Sequence, residues 1–279
     1  MKKAMTIGMA AMLAAGAAMA RNDVVMVDQM GGSSASEVLV TAEAALVSSH
    51  VWRGQVLNND FVIQPQLTAS QYGVSLNVWG NYDLGNNWVG SSSDFSEIDV
   101  SLAYTLPLDV NDVAFDLGVI GYSFPANGDG SSFGIPPEAG INKKSTTELF
   151  AKATVLSFKD YVIPSFTMFG DIGEANGVYL LFDVVAPYQV SDYLTVEGGI
   201  SAGWGSTSYN DYHWGAPLDS GWNDYNFYGN VSYEIFDNLT ASLNLTYTLV
   251  EGGALGDAAD ARYEDDQKFW GGVNLAYDF

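Results

Sequence analysis

Two histidines are the side chains best suited to proton transfer near neutral pH, and the chain has no cysteine. His50 lies in Ser48-Ser49-His50-Val51-Trp52, so an extended backbone puts Ser48, His50 and Trp52 on one face. A histidine that activates a serine at a membrane boundary is the chemistry of a lipid-modifying hydrolase, and His50 would need a Ser or Asn from a neighbouring strand to complete it. His213, within Tyr212-His213-Trp214, reads as a loop residue. No phosphate-binding glycine loop, Cys/His zinc pattern or convincing triad is present. The residues therefore point away from an enzyme, and no cofactor is expected. The stretches Pro125 to Ser131 and Asp257 to Asp266 are acidic but lack the ligand spacing of a calcium loop. They read as solvated loops that could bridge divalent cations to lipopolysaccharide, with no dedicated metal site.

The remaining charged residues recur at alternate positions along strand-like segments. Twelve such segments lie near 39–54, 60–70, 73–84, 95–106, 112–124, 146–158, 162–171, 177–188, 192–204, 222–236, 239–250 and 268–279. In 97–106, Ile98, Val100, Leu102, Tyr104 and Leu106 oppose Glu97, Asp99, Ser101, Ala103 and Thr105. In 239–250, Leu239, Ala241, Leu243, Leu245, Tyr247 and Leu249 oppose Thr240, Ser242, Asn244, Thr246 and Thr248. After the first segment, short connections such as Gln71-Tyr72 and Asp237-Asn238 alternate with longer ones such as Gly205 to Gly221 and Glu251 to Gln267. The first connection, Gln55 to Asn59, is short. Loops sorted by parity, and aromatic residues gathered at both strand ends (Trp52, Tyr82, Trp88 and Trp222 toward the long loops, Tyr188, Tyr233 and Tyr277 toward the short turns), are what an outer-membrane β-barrel shows.

Composition and the two ends agree. Lys2 and Lys3 precede an apolar run ending in Ala18-Met19-Ala20, the pattern of a secretory signal over residues 1–20. Without Lys2 and Lys3, 8 basic residues face 33 acidic ones, a net charge of −25 that excludes a nucleic-acid partner. Apolar residues at 48% and aromatics at 13% exclude a disordered chain. Residues 21–38, with Gly31-Gly32-Ser33-Ser34, read as a flexible segment, and 39–279 as the barrel. The last segment, Phe269 to Phe279, alternates to its end on an aromatic residue. It is expected to pair with the first strand, close the barrel and present Phe279 to the barrel-assembly machinery of the bacterial outer membrane.

If lipid meets the apolar faces, the polar faces line an interior. Its charged candidates are Arg53, Asp83, Glu97, Asp99, Asp116, Lys152, Asp183, Glu197 and Glu234. Acids outnumber Arg53 and Lys152, which favours cations and neutral solutes over anions. Arg53, at the outer mouth by parity, is expected to pair with Asp83 or Glu97, because a charge inside a barrel needs a partner. A constriction or gating charge is its functional reading.

The segments Val51-Trp52-Arg53-Gly54 and Gly73-Val74-Ser75-Leu76-Asn77-Val78-Trp79-Gly80 resemble the opening of the TorF-type outer-membrane porin family, with its aromatic-x-Arg-Gly step and a strand ending in Trp-Gly. The resemblance implies an outer-membrane pore. The reading is a closed antiparallel transmembrane barrel of about twelve strands that passes small solutes and touches outer-membrane lipid and lipopolysaccharide. A non-conducting structural or adhesive barrel and a lipid-modifying enzyme using His50 are the alternatives.

Overall fold

Alternation with a period of two places every second side chain on the same face, so a sheet of alternating polar and apolar residues needs two different surroundings, one for each face. A computed structural model describes residues 38–84, 95–108, 110, 112–125, 145–215, 217–263 and 265–279. Twelve strands form a closed antiparallel barrel: β1 (Leu39–Val47), β4 (Val62–Gln71), β5 (Val74–Asp83), β6 (Phe95–Thr105), β7 (Val113–Ser123), β8 (Thr146–Val155), β9 (Ile163–Asp171), β10 (Val178–Ser191), β11 (Leu194–Gly205), β12 (Gly221–Phe236), β13 (Leu239–Val250) and β14 (Gln267–Asp278). Each pairs with the next, and β14 returns to β1 with Thr41 opposite Asp278 and Val47 opposite Gly272. Thr41 Oγ1 donates to Asp278 Oδ1 at 2.6 Å, and the Phe279 amide donates to the Val40 carbonyl at 2.9 Å. Closure leaves no sheet edge, the condition for a β-structure in lipid.

The two faces are inverted relative to a soluble barrel. Leu67, Leu76, Val78, Val100, Leu102, Leu117, Leu243, Leu245 and Val273 are exposed on the outside. Gln64, Asn77, Asn81, Asp99, Asp116, Lys152, Asn230, Asn244 and Asn274 are buried inside. Tyr72 and Gly73, with φ of 53° and 77°, make the tight turn between β4 and β5, both central residues being left-handed as the twist of a hairpin requires.

The structure departs from the expected layout in the first connection. The strand expected over 39–54 leaves the wall at Val47, and Val47 pairs directly with Val62 of β4. Residues 48–61 fold instead into a separate hairpin of β2 (His50–Trp52) and β3 (Gln55–Asn58), paired only with each other. The wall strand stops where Ser48 and Ser49 leave the extended ladder, the Ser49 hydroxyl donating to the Asn58 carbonyl, and Arg53 and Gly54, with φ values of 47° and 82°, reverse the chain at the hairpin tip. Trp52, expected in the outer aromatic belt, is carried inward, its ring 6.0 Å from that of Tyr122 and 5.1 Å from that of His213. Two long-loop segments contain helices, α1 (Thr207–Trp214) and α2 (Ala254–Tyr263). Ser206 caps α1 by accepting from the Tyr209 amide, and Gly215 ends it in the left-handed conformation. The expected signal over 1–20, the flexible segment up to residue 37, Trp88 and residues 126–131 of the expected acidic loop lie outside the described residues.

Candidate functional site

The lumen is filled unevenly along its axis. Toward the short turns most inward positions carry small or polar side chains, the buried pair Ile163 and Val185 excepted, and Thr41, Thr68, Ser70, Ser165, Thr195, Glu197, Glu234 and Thr240 stay half-buried, in reach of solvent. Toward the long loops the hairpin β2–β3 enters the lumen. Val51, Val56 and Leu57 of the hairpin pack with Val47, Val62, Trp79 and Trp270 of the wall, an apolar cluster inside a barrel whose lining is largely polar. Helices α1 and α2 cover this cluster. The rings of Trp214 and Tyr263 meet edge to face at 5.4 Å, and Tyr263 Oη donates to Gln55 Oε1 of the hairpin at 2.7 Å. Lys268 of β14 donates to Asn59 Oδ1.

Arg53 sits at the tip of the hairpin. Its partner is Glu148 on β8, reached by two parallel bonds of 2.8 Å each, and not the expected Asp83 or Glu97. The reason is reach. In the twelve-strand ring, β8 to β10 stand opposite β1 and β4, so a hairpin leaving β1 and returning to β4 carries its tip across the lumen. The guanidinium carbon lies 4.2 Å from the Phe169 ring centroid, 4.4 Å from that of Tyr179, 4.5 Å from that of Trp52 and 5.9 Å from that of Tyr209. A planar cation is thus held by a carboxylate fork in its plane and by ring faces around it. The second contacts are also built: Tyr122 Oη donates to Glu148 Oε2 at 2.7 Å, and Tyr179 Oη donates to Asp224 Oδ2 at 2.8 Å. Burial pushes the Tyr209 phenol above its ordinary range, so this ring stays neutral beside the cation.

The other expected lining residues are inside but do not converge on one centre. Asp83, at the end of β5, accepts from Asn58 of the hairpin at 2.7 Å and from Asn81 at 2.9 Å. Glu97 faces His50, with Nε2 and Oε2 3.6 Å apart, and the His50 ring lies 5.6 Å from that of Trp79. His50 is therefore a buried hairpin residue behind a carboxylate, and not one at the end of a wall strand next to lipid. Asp99 is buried on β6, opposite Tyr122. Asp116, toward the short-turn end of β7, accepts from Thr105 Oγ1 at 2.6 Å and stands opposite Lys152, and Asp183, near the middle of β10, accepts from Tyr228. Nearer the short turns, Glu197 accepts from Asn230 at 3.1 Å, and Glu234 stands opposite Thr240. Among the described residues no group of three or more His, Asp or Glu side chains is placed to hold a metal ion.

Glu148, Tyr122, Phe169 and Tyr179 are the residues that sequence reasoning missed. Glu148 shares the parity of Lys152 four positions along β8, so the alternation already placed it inside. The three rings break the rule that aromatic residues face lipid, and only the hairpin explains why they face inward.

The architecture has known counterparts. The KdgM porin in complex with disordered oligogalacturonate superposes with a TM-score of 0.50 over 86% of this chain and 99% of its own, at 10% identity. The COG4313 outer membrane channel from Pseudomonas putida F1 gives 0.51 over 89% and 97%, also at 10% identity. LpxR from Salmonella typhimurium gives 0.50 over 85% and 99%, at 9% identity. At such identities these show the shared outer-membrane barrel fold. No curated protein matches the sequence. A model of a family described as "Bacterial protein of unknown function (Gcw_chp)" matches residues 31–236.

Proposed function

The chain belongs to the Gcw_chp family of bacterial proteins, and from that premise and the barrel above we propose that it is an outer-membrane channel for passive diffusion of small solutes, with a preference for cations. The observation that carries this is the inverted barrel, whose interior holds Glu43, Glu97, Asp99, Asp116, Glu148, Asp183 and Asp224 against Arg53 and Lys152. A lumen of one sign concentrates counter-ions and repels co-ions. The porin and channel barrels that share the fold agree with this reading, as does the TorF-type resemblance of the first hairpin. Exposed rings at the two ends, such as Phe95 and Trp222 at one and Tyr188 and Phe236 at the other, suit contact with lipid and lipopolysaccharide. The exposed Phe279, 4.9 Å from the Tyr277 ring, suits recognition by the barrel-assembly machinery.

Planar-bilayer recording of the purified protein tests the proposal. Currents are expected to reverse at potentials that favour potassium over chloride; an anion-favouring reversal would overturn the cation preference. The hairpin across the lumen favours a second reading, a barrel that does not conduct in its resting form. Silent membranes with the native protein, and currents once the hairpin is removed, would select that reading.

A further inference from the structure

The cage around Arg53 is supplied by the wall, by Tyr209 of α1 and by Trp52 on the hairpin itself. The wall part is Glu148, Tyr122, Phe169 and Tyr179, on the four neighbouring strands β7 to β10. It is braced from within the wall, by the Tyr122 bond to Glu148 and the Tyr179 bond to Asp224. Neither bond involves the hairpin. The occupant arrives on a unit that pairs only with itself, at a non-glycine residue with φ of 47°, a backbone conformation that L side chains seldom adopt. A carboxylate presenting both oxygens to a planar fork, flanked by ring faces, is a recognition set for a delocalised planar cation. A sodium or potassium ion would meet the charge but neither the fork nor the stacking.

We propose that the wall part of this cage is a binding site for small guanidinium-type organic cations, and that Arg53 is its tethered occupant while the hairpin lies across the lumen. A solute of this class competes with Arg53 for Glu148 and so favours release of the hairpin. The role in passage rests on the channel reading; the site itself does not. Vacating the cage should make it available to a free cation. In Arg53→Ala the Glu148 carboxylate and the Phe169 and Tyr179 rings lose their partner, and methylguanidinium has the size to replace it.

The test uses the full-length protein folded in detergent, with heat-modifiable migration as the check on folding. The thermal midpoint of Arg53→Ala is expected to fall below wild type and to rise again with methylguanidinium chloride, but not with equal sodium chloride. Wild type, whose cage is full, should respond only at a far higher concentration, because there the solute must first displace Arg53 from Glu148. In Arg53→Ala/Glu148→Gln the half-effective methylguanidinium concentration should rise roughly tenfold or more, the loss expected for one charge-assisted hydrogen bond. If Arg53→Ala does not fold, Arg53→Gln carries the same comparison, since its shorter amide leaves the guanidinium position vacant. No difference between methylguanidinium and sodium, or an equal response from wild type, would overturn the site. Bilayer currents separate this from the channel reading. Rescue of the thermal midpoint in a protein that never conducts keeps the site and removes the channel; conduction without selective rescue does the reverse.

Discussion

At the scale of single residues, the interior charge that matters most is the one furthest from its own strand. A guanidinium out of water costs several kcal/mol unless its donors are filled, and at Arg53 a two-pronged bond and four rings fill its surroundings. Glu148→Ala removes the anion and leaves the cation buried, so the unfolding free energy in lipid vesicles is expected to drop by about 3–5 kcal/mol. Arg53→Ala/Glu148→Ala should lose clearly less than the two single losses together; additive losses would show that the pair is not coupled. Parity along a strand expected over 39–54 put Arg53 on the inner face, but that strand ends at Val47 and Arg53 is inside because the hairpin enters the lumen; burial was enough to demand an acid. Parity could not name the acid, because it counts along one strand. The choice between Asp83, Glu97 and Glu148 depends on where a reversed chain ends up across the ring.

At the scale of elements, β11 is the strand that makes room. A Cβ built on Gly203 would stand 2.0 Å from Tyr179 Oη and 2.4 Å from Asp224 Oδ2, whereas one built on Gly198, facing outward, would meet nothing within 4 Å. Gly203→Ala is therefore expected to cost about 1–3 kcal/mol and Gly198→Ala to stay within about 0.5 kcal/mol of wild type, both read from urea unfolding in vesicles. The hairpin is the opposite case, an element the wall does not need. Because Val47 pairs with Val62, replacing residues 49–60 by Asn-Gly should leave a folded, heat-modifiable barrel with higher bilayer conductance than wild type. Apart from β1, which ends at Val47 and not at 54, the wall strands were legible from sequence to within a few residues, since lipid on one side and water on the other enforce strict alternation. The helices were not. Their apolar residues form no stripe, because α1 and α2 are short covers over a cluster that other elements supply. Ser206 and Gly215, a cap at each end of α1, were the signal available.

At the scale of the whole molecule, the exchange of inside for outside sets what each substitution will do. Leu245, exposed near the middle of β13, faces lipid; Leu245→Arg is expected to cost about 2–4 kcal/mol, and Tyr277→Arg, near the membrane boundary, only about 0–1 kcal/mol. Equal costs at the two depths in the same vesicle assay would contradict the membrane placement of the strands. Closure of the ring also has a meaning in time. β1 meets its second neighbour only when β14 is present, and Thr41 and Asp278 are 237 positions apart in the chain. Joining them carries the largest loop-closure entropy in the barrel, which makes it a slow and late event. The hairpin follows β1 directly, yet its anchors Glu148, Tyr263 and Lys268 all come from later in the chain. A segment synthesised among the first is therefore locked among the last, and until the seam shuts it has only part of its berth.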